Sequence, residues 1–211
     1  MTLADELIKK GVLKSSGLIE AFRAVDRKYF VPGEMEKYAY SDEPLPIGKN
    51  QTISQPWTVA FMLELLEPKH EENILEIGYG SGWQTALLSH IGANVYAIER
   101  IPELCEFGKC NVGRFLETSE KRQKSADAKF FCQDGTRGLP DIAKTIGGFD
   151  KVIAAAAGEQ LPNAWQEQLK IGGRMVVPIQ NHISLFIKTG DNQLNEQQYP
   201  GFAFVPLVEE K

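Results

Sequence analysis

The segment EIGYGSG, at Glu76–Gly82, constrains the fold more than any other part of this sequence. It ends a short apolar run that predicts a buried strand, and it opens SGWQTALLSHIG, which has the apolar spacing of a helix closed by Gly92. Glycines at alternate positions allow a sharp turn and a close approach of the backbone to a ligand. The NH groups that begin the following helix would face that ligand.

The same alternation of strand and helix continues along the chain. NVYAIER, KFFCQDG, FDKVIAAAA and GGRMVVPI predict four more strands, and SLFIKTG with GFAFVPLV predicts a late antiparallel pair. PELCEFGKCNVGRFLETSEK, with a break at Gly108 or Gly113, and LPNAWQEQLK predict helices. Strands that alternate with helices predict the α/β class, a Rossmann-like parallel sheet with helices on both faces.

The part before the sheet has a different character. ADELIKKGVL and SGLIEAFRAV predict helices, with Leu18, Ile19, Phe22 and Val25 on one face, and AYSDEPLPIGKNQ predicts an irregular loop. QTISQP then leads into WTVAFMLELL, a predicted helix that buries Val59 and Met62. We expect a single domain over 1–211, with a helical and loop segment at 1–56 and the sheet at 57–211.

Composition excludes several classes of protein. A net charge of -5 gives no general attraction to phosphate backbones, so we expect no nucleic-acid partner. No apolar run approaches the roughly 20 residues that span a bilayer, and no secretory leader is present, so we expect no membrane association and a cytoplasmic protein. Three cysteines without a zinc spacing predict reduced thiols, and the scattered histidines predict no metal site.

Three acidic residues fall at the ends of consecutive predicted strands and should meet at one edge of the sheet. They are Glu76, Glu99 and Asp134. A dinucleotide-binding loop would have glycine at position 83, which is Trp83 here, so a nicotinamide cofactor is disfavoured. Glu76 suits a bound amine or sulfonium, Glu99 the hydroxyls of a ribose, and Asp134 an adenine amino group, with space for the ring at Gly135. This set predicts S-adenosylmethionine.

The chain also resembles a known family, the protein-L-isoaspartate O-methyltransferases, over nearly its whole length. The resemblance rests on AFRAVDRKYFVP, AYSDEPLPIGKNQTISQP, ILEIGYGSGWQTALL, VYAIER, QDG, FDKVIAAAA, LPNAWQEQLKIGGRMVVPI and FVPLV. It implies a seven-stranded sheet with a reversed last strand, and an enzyme that methylates the free carboxylate of isoaspartyl residues in damaged proteins and peptides. It also implies repair through a succinimide.

The same resemblance implies roles for individual residues. Ser54 matches the active-site serine, and Val205 begins a tail that closes over the cofactor. Further positions match residues that line the cofactor and substrate cleft or bind the cofactor: Thr52, Ile53, Gly78, Gly80, Glu99, Arg100, Asp134 and Gly135. With Glu76 and Gly82 from the glycine loop, these form the predicted cofactor site. We expect a monomer that acts on isoaspartyl proteins and uses no metal.

From local sequence alone, Ser54 has two interpretations. It precedes Pro56 at the start of a predicted helix, so it could cap that helix. It also ends a long polar loop, and such loops are often functional. The chemistry needs no general base, because a carboxylate is already ionised at neutral pH. A serine hydroxyl would only have to hold and aim it.

Three positions depart from the family pattern and leave the acceptor open. They are Tyr79, Gly158 and Gln180. Tyr79 could pack over the cofactor or swing outward. The alternatives are a carboxylate methyltransferase for another peptide or a small acid, and a non-catalytic adenosyl-binding module. A methyltransferase for nucleic-acid bases is less favoured, since AAAAGEQLP contains no Pro-Pro-aromatic motif.

Overall fold

The computed structural model describes residues 2–118 and 128–209. A central sheet has the strand order β5-β4-β3-β6-β7-β8-β9. Its strands are β3 (Asn73–Ile77), β4 (Asn94–Glu99), β5 (Ala128–Cys132), β6 (Phe149–Ala154), β7 (Leu169–Ile179), β8 (His182–Gly190) and β9 (Gln193–Pro200). Strands β3 to β7 run parallel, so connections between neighbours cross over the sheet as helices.

Helices cover both faces of the sheet. Helices α3 (Pro56–Leu66), α4 (Trp83–Ile91) and α5 (Pro102–Thr118) pack on one face, while α6 (Pro140–Ile146) and α7 (Asn163–Gln168) pack on the other. Successive residues of each strand alternate between the two cores: Ile74 belongs to the first, and Leu75 and Ile77 to the second. This confirms the predicted fold class, since strands buried on both faces are typical of parallel sheets.

The N-terminal helices form an outer layer. Helix α1 (Leu3–Lys9) and helix α2 (Ser16–Ala24) pack on α3 and α4. Of the four residues predicted on one face, Leu18, Phe22 and Val25 are buried and Ile19 is partly buried against the same core. Two 3₁₀ turns follow at Arg27–Phe30 and Gly33–Tyr38. No helix in the described part of the chain is both long and apolar enough to cross a membrane.

The loop predicted as irregular contains a hairpin, so that prediction was partly wrong. Strand β1 (Leu45–Gly48) pairs antiparallel with β2 (Gln51–Ile53). Lys49 and Asn50 form the turn with φ values of 52° and 57°. Two central residues with positive φ are typical of the turns that best match strand twist, although the usual Asn-Gly signature is absent.

The last strands also differ from the prediction. The reversed strand is β8, the last but one, because β9 runs antiparallel to β8 along the segment predicted as a polar turn. GFAFVPLV forms no strand and instead extends across the edge of the site. Polar residues fill β9 because it is an edge strand and needs an apolar side chain at few positions.

The sequence-based prediction was wrong for part of α5 and missed α6. Helix α5 runs unbroken through Gly108 and Gly113, so the expected break is wrong for residues up to Thr118. The remainder of that predicted helix, Ser119–Lys121, lies outside the described residues. Helix α6 was not predicted, because its seven residues are too few to show a clear apolar period.

The cysteine prediction was wrong as well. Cys105 and Cys132 form a disulfide with their Cα atoms 5.8 Å apart, and only Cys110 is free. Strands β4 and β5 are neighbours, with Glu99 level with Cys132. Since α5 begins three residues after β4, its first turn brings Cys105 over the end of β5. This proximity is invisible at a sequence separation of 27.

Candidate active site

A first cleft of about 740 Å³, including the part open to solvent, lies where β3 and β4 end. Its walls are mostly aliphatic side chains and glycine backbone. They are Ile47, Ile77, Ile98, Ile101, Leu104, Gly78, Gly80, Gly135, Ala155, Ala156 and the segment 205–208, with Gln51, Thr52, Glu99 and Arg100 as the polar members. The position agrees with the rule that ligands of such sheets bind beyond the carboxyl ends of the strands.

The glycine loop forms the floor of this cleft. Gly78 and Gly80 line it, with φ values of 80° and 48°. Gly82 does not line it; it adopts φ 83° before the first turn of α4, and a Cβ there would lie 2.6 Å from Val112. The first two glycines therefore face the ligand space, while the third allows α5 to pack closely on the loop.

Glu99 is aimed by three backbone donors. Its Oε1 accepts hydrogen bonds from the NH groups of Arg100 at 2.8 Å and Ile101 at 3.0 Å, and its Oε2 accepts one from Gly80 at 3.1 Å. A carboxylate offers about four lone-pair sites, so roughly one remains for a ligand hydroxyl. Glu99 thus joins the end of β4 to the glycine loop and still presents an acceptor to the first cleft.

Glu76 lies beneath the loop and is fully buried. It accepts hydrogen bonds from the Thr85 hydroxyl at 2.6 Å and the Gln84 amide at 3.0 Å. Burial raises the pKa of Glu76 to about 7, against the lowering effect of these two bonds. Glu76 borders a smaller cavity, shared with Thr52, Ile53 and Ser54, rather than the first cleft itself.

Of the two residues after β5 that were predicted in the cofactor site, only one lines the first cleft. Gly135 lines the first cleft, where a Cβ would lie 2.7 Å from Cγ2 of Ile77. Asp134 does not line it, and its Oδ1 accepts a hydrogen bond from the NH of Thr136 at 2.8 Å. The two adjacent residues therefore have different positions, and only the glycine opens space for a ring.

Ser54 borders a second cleft beside the first. This second cleft has about 1400 Å³ including open solvent, and it shares Thr52, Ala155 and Val205 with the first cleft. The Ser54 hydroxyl makes no hydrogen bond to any residue of 2–118 or 128–209. Ser54 is therefore a free, half-buried donor near the junction of the two clefts.

The capping interpretation of Ser54 was wrong. The residue before the first turn of α3 is Gln55, and the cap is the Asp42 carboxylate, which accepts from the NH of Trp57 at 2.8 Å. Asp42 also pairs with Lys10 at 2.6 Å. A cap supplied by a side chain 15 residues away has no local sequence signal.

Arg27 holds the segment that carries Ser54, a role that the sequence analysis did not assign to it. Its guanidinium donates to the carbonyl oxygens of Ala39, Ser41, Glu43 and Ser54 at 2.9–3.2 Å. The guanidinium carbon, Cζ, lies 5.2 Å from the ring centroid of Trp83 in α4. Burial lowers the pKa of Arg27 to about 10, which leaves it charged at neutral pH.

Tyr79 adopts neither predicted position. It is 4% exposed, its hydroxyl donates to the carbonyl oxygen of Cys105 at 3.0 Å, and its ring packs edge-on against Phe130. Burial raises the pKa of Tyr79 above its ordinary value. Gln180 begins the turn between β7 and β8 with φ 52°, a conformation in which glycine is less strained. Gly158 pairs with Ile179 nearby.

The first cleft fits an adenosyl group. The aliphatic side chains of Ile98 and Leu104 provide apolar walls for a flat ring, Gly135 leaves room beside Ile77, and Glu99 offers a buried acceptor. An apolar pocket with few polar groups in fixed positions is typical of such sites. Several wall residues were not predicted, among them Ile47, Ala155 and Ala156, although the AAAA run after the fourth strand was a usable signal.

Comparisons with known proteins agree with this geometry. The family model for protein-L-isoaspartate(D-aspartate) O-methyltransferase matches residues 1–211. The protein-L-isoaspartate O-methyltransferase of Flavobacterium psychrophilum is 40% identical over 99% of this chain and 93% of its own. That of Aeropyrum pernix is 38% identical over 100% of this chain and 79% of its own.

Solved structures have the same fold. A protein-L-isoaspartate O-methyltransferase aligns with a TM-score of 0.84 and 28% identity, over 98% of this chain and 65% of its own. A Plasmodium falciparum protein assigned to these methyltransferases, solved with S-adenosyl-L-homocysteine, aligns with a TM-score of 0.84 and 21% identity. That alignment covers 99% of this chain and 97% of the other.

Proposed function

Because this chain belongs to the protein-L-isoaspartate(D-aspartate) O-methyltransferase family, we propose that it methylates the free carboxylate of L-isoaspartyl residues in proteins and peptides. The methyl donor is S-adenosylmethionine. The observation that carries the proposal is the contact of two clefts at Thr52, Ala155 and Val205, with the Ser54 hydroxyl beside it. Donor and acceptor can thus bind from separate openings and meet at one point.

We assign the donor to the first cleft. Glu99 would accept a ribose hydroxyl, and Gly78, Gly80 and Gly135 would leave room for the backbone to approach and for the adenine ring. Thr52 and Arg100 line the same space. Ile53 and Glu76 border the smaller cavity, and Gly82 and Asp134 border neither that cavity nor the first cleft, so in this proposal the four act on donor binding indirectly.

Bound in this way, the donor supplies an electrophilic methyl group on a sulfonium. The isoaspartyl carboxylate is ionised at neutral pH, with a reference pKa near 4, so the protein need not remove a proton. Ser54 would donate its hydroxyl hydrogen to one carboxylate oxygen and so fix the direction of the other. Orientation of two bound reactants supplies about 7–11 kcal/mol in favourable cases.

The chain also removes water from the acceptor. The residues that line the second cleft include Trp57, Thr58, Phe202 and Phe204, and none of the lining residues described is charged. After transfer, the backbone nitrogen that follows the new ester can attack its carbonyl and release methanol. The resulting succinimide hydrolyses without further enzymatic help, which accounts for repair of part of the damaged residue.

The test is methyl transfer to an isoaspartyl peptide and to its normal aspartyl twin. We expect labelled methyl from the donor in the first peptide and little in the second. Ser54→Ala should lower kcat with little change in the affinity for S-adenosylhomocysteine, because Ser54 borders the acceptor cleft and not the donor cleft. Equal transfer to both peptides would indicate another carboxylate acceptor. Donor binding without transfer to either would indicate a binding module.

Two further expectations remain predictions of the sequence. These are a monomeric state and a cytoplasmic location. Light scattering at assay concentration tests the monomeric state.

A further inference from the structure

The second cleft has a wall of stacked aromatic rings. Trp57 and Phe202 line the cleft with centroids 6.1 Å apart and an interplanar angle of 25°. Phe61 supports both rings from behind, at 5.1 Å from Trp57 and 5.4 Å from Phe202. Tyr199 meets Phe61 edge-on at 5.2 Å. The wall is therefore braced in place, and its outer rings face the space beside Ser54.

The rest of the cleft is neutral. Its other described lining residues are Pro44, Thr52, Ser54, Gln55, Thr58, Ala155, Pro200, Gly201, Ala203, Phe204 and Val205. A charged group brought against such a surface loses water without gaining an ionic partner. The whole chain carries a net charge of -5, which adds a long-range repulsion for acidic ligands.

One wall of the cleft also offers free backbone donors. The segment that follows Pro200 makes backbone hydrogen bonds at Gly201 and Phe202, to Asn181, and at Val205 and Leu207, to Ala157. Between them, the NH groups of Ala203 and Phe204 bond to no residue of the described ranges. An extended peptide can pair with such donors, as peptides do at exposed strand edges.

We propose that this aromatic wall selects peptides in which a residue flanking the isoaspartyl residue is aromatic or otherwise large and apolar. The flanking side chain packs on Trp57 and Phe202 while the isoaspartyl carboxylate reaches Ser54. Aromatic contacts strengthen binding beyond what the area that they bury contributes. A flanking acidic residue is disfavoured, because none of the described residues that line the cleft carries a positive charge. The proposal rests on the isoaspartyl methyltransferase activity proposed above.

The test uses isoaspartyl peptides that differ only at the residues before and after the isoaspartyl position. Phenylalanine, glycine and aspartate are placed in turn on each side, because the direction of the peptide is an outcome of the experiment. We expect kcat/KM for the best phenylalanine peptide to exceed that of glycine by about five- to tenfold, chiefly through a lower KM. Aspartate should fall below glycine.

Trp57→Ala should bring the ratio of phenylalanine to glycine close to one. The matched control is Tyr38→Ala, which removes an aromatic ring that is 47% exposed and lies outside the cleft; it should leave the ratio unchanged. Thermal unfolding checks that both variants fold. If Trp57→Ala does not fold, the comparison of peptides in the unaltered protein still decides the question.

The outcomes separate the two proposals. Equal kcat/KM for phenylalanine and glycine peptides, or the highest value for aspartate, overturns the aromatic selection while the methyltransferase assignment stands. No transfer to any isoaspartyl peptide overturns the proposed function itself.

Discussion

At the scale of single residues, Arg27 shows how one buried side chain can organise an active-site segment. It gathers carbonyl oxygens from both sides of the β1–β2 hairpin: those of Ala39, Ser41 and Glu43 before β1, and that of Ser54 after β2. Five donors in a rigid fork make this arrangement specific to arginine. Lysine would keep the charge but could not reach all of these oxygens.

We therefore predict that Arg27→Lys lowers kcat/KM for an isoaspartyl peptide by more than tenfold and the free energy of unfolding by about 1–3 kcal/mol. In Arg27→Ala, which leaves the site of the guanidinium empty, added guanidinium ion at millimolar concentration should restore part of the activity, which a general loss of stability would not allow. Arg23→Lys is the control, since Arg23 is 55% exposed and pairs with Asp5 at the surface. Equal activity of the two lysine variants would contradict the prediction.

The buried carboxyl group of Glu76 makes the free energy of unfolding depend on pH. Its pKa rises from 4.5 to about 7 on folding, so the folded state keeps a proton that the unfolded state releases. The contribution of this group to the free energy of unfolding is therefore fully present below about pH 4.5 and is lost as the pH rises to about 7. Above that pH, the free energy of unfolding no longer changes through this group. The total is on the order of 3 kcal/mol.

Glu76→Gln should remove this dependence, because an amide can keep the partners Thr85 and Gln84 without a charge. We expect the variant to gain stability relative to the unaltered protein as the pH rises from 5 to 8, measured by urea unfolding without donor. Glu117→Gln, at the surface of α5, should show no such trend. A constant difference between the two proteins across this range would show that Glu76 does not hold its proton.

At the scale of secondary-structure elements, the contact between α5 and the glycine loop sets the depth of the first cleft. A Cβ on Gly108 would lie 2.4 Å from the carbonyl oxygen of Gly80 and 2.8 Å from the Tyr79 ring. Helix α5 can therefore approach the loop only because position 108 has no side chain. Gly113 lies on the same helix and has open space around it.

These two glycines form a matched pair of substitutions. Gly108→Ala should destabilise the protein by about 1–3 kcal/mol and weaken the binding of S-adenosylhomocysteine, because the loop must move. Gly113→Ala should stabilise it by about 0.5–1 kcal/mol, since alanine favours helix. Thermal unfolding and calorimetry measure both effects. Similar behaviour of the two variants would contradict the close approach.

The disulfide between α5 and β5 braces the same region. A closed loop with a sequence separation of 27 stabilises a protein by about 3.5 kcal/mol in the chain-entropy description. Cys105→Ser should lower the free energy of unfolding by about this amount, and a thiol reductant should do the same to the unaltered protein. Cys110→Ser should have no effect, since Cys110 is free and exposed. An unfolding midpoint unchanged by reductant would contradict the bridge.

The sequence predicted elements well where physical signals are local. The glycine loop, the helix ended by Gly92 and the core face of α3 all follow from short patterns, and the structure has each of them. It failed where distant parts of the chain decide the outcome. Asp42 caps α3 from 15 residues away, and Arg27 binds four backbone carbonyl oxygens that lie 12 to 27 residues after it. Cys105 forms a disulfide with Cys132, and a polar segment becomes β9 because β8 lies beside it. None of these has a signal within a few residues.

At the scale of the whole molecule, fold and site depend on different parts of the chain. The seven strands of the sheet are complete by Pro200, whereas the segment 201–208 forms walls of both clefts. We predict that a protein truncated after Pro200 keeps its far-ultraviolet circular dichroism but loses S-adenosylhomocysteine binding and methyl transfer. Retained binding in the truncated protein would show that the segment is dispensable for the donor.

The polar character of β9 affects how the edge of the sheet meets partly unfolded substrate proteins. Its outer edge presents Asn195, Glu196, Gln197 and Gln198, all exposed, and it ends at Pro200. An apolar edge would pair indiscriminately with loosened chains, and damaged proteins are rich in these. A repair enzyme must touch such chains briefly at one residue and let them go. A polar edge strand of this kind has a low tendency to pair with such chains.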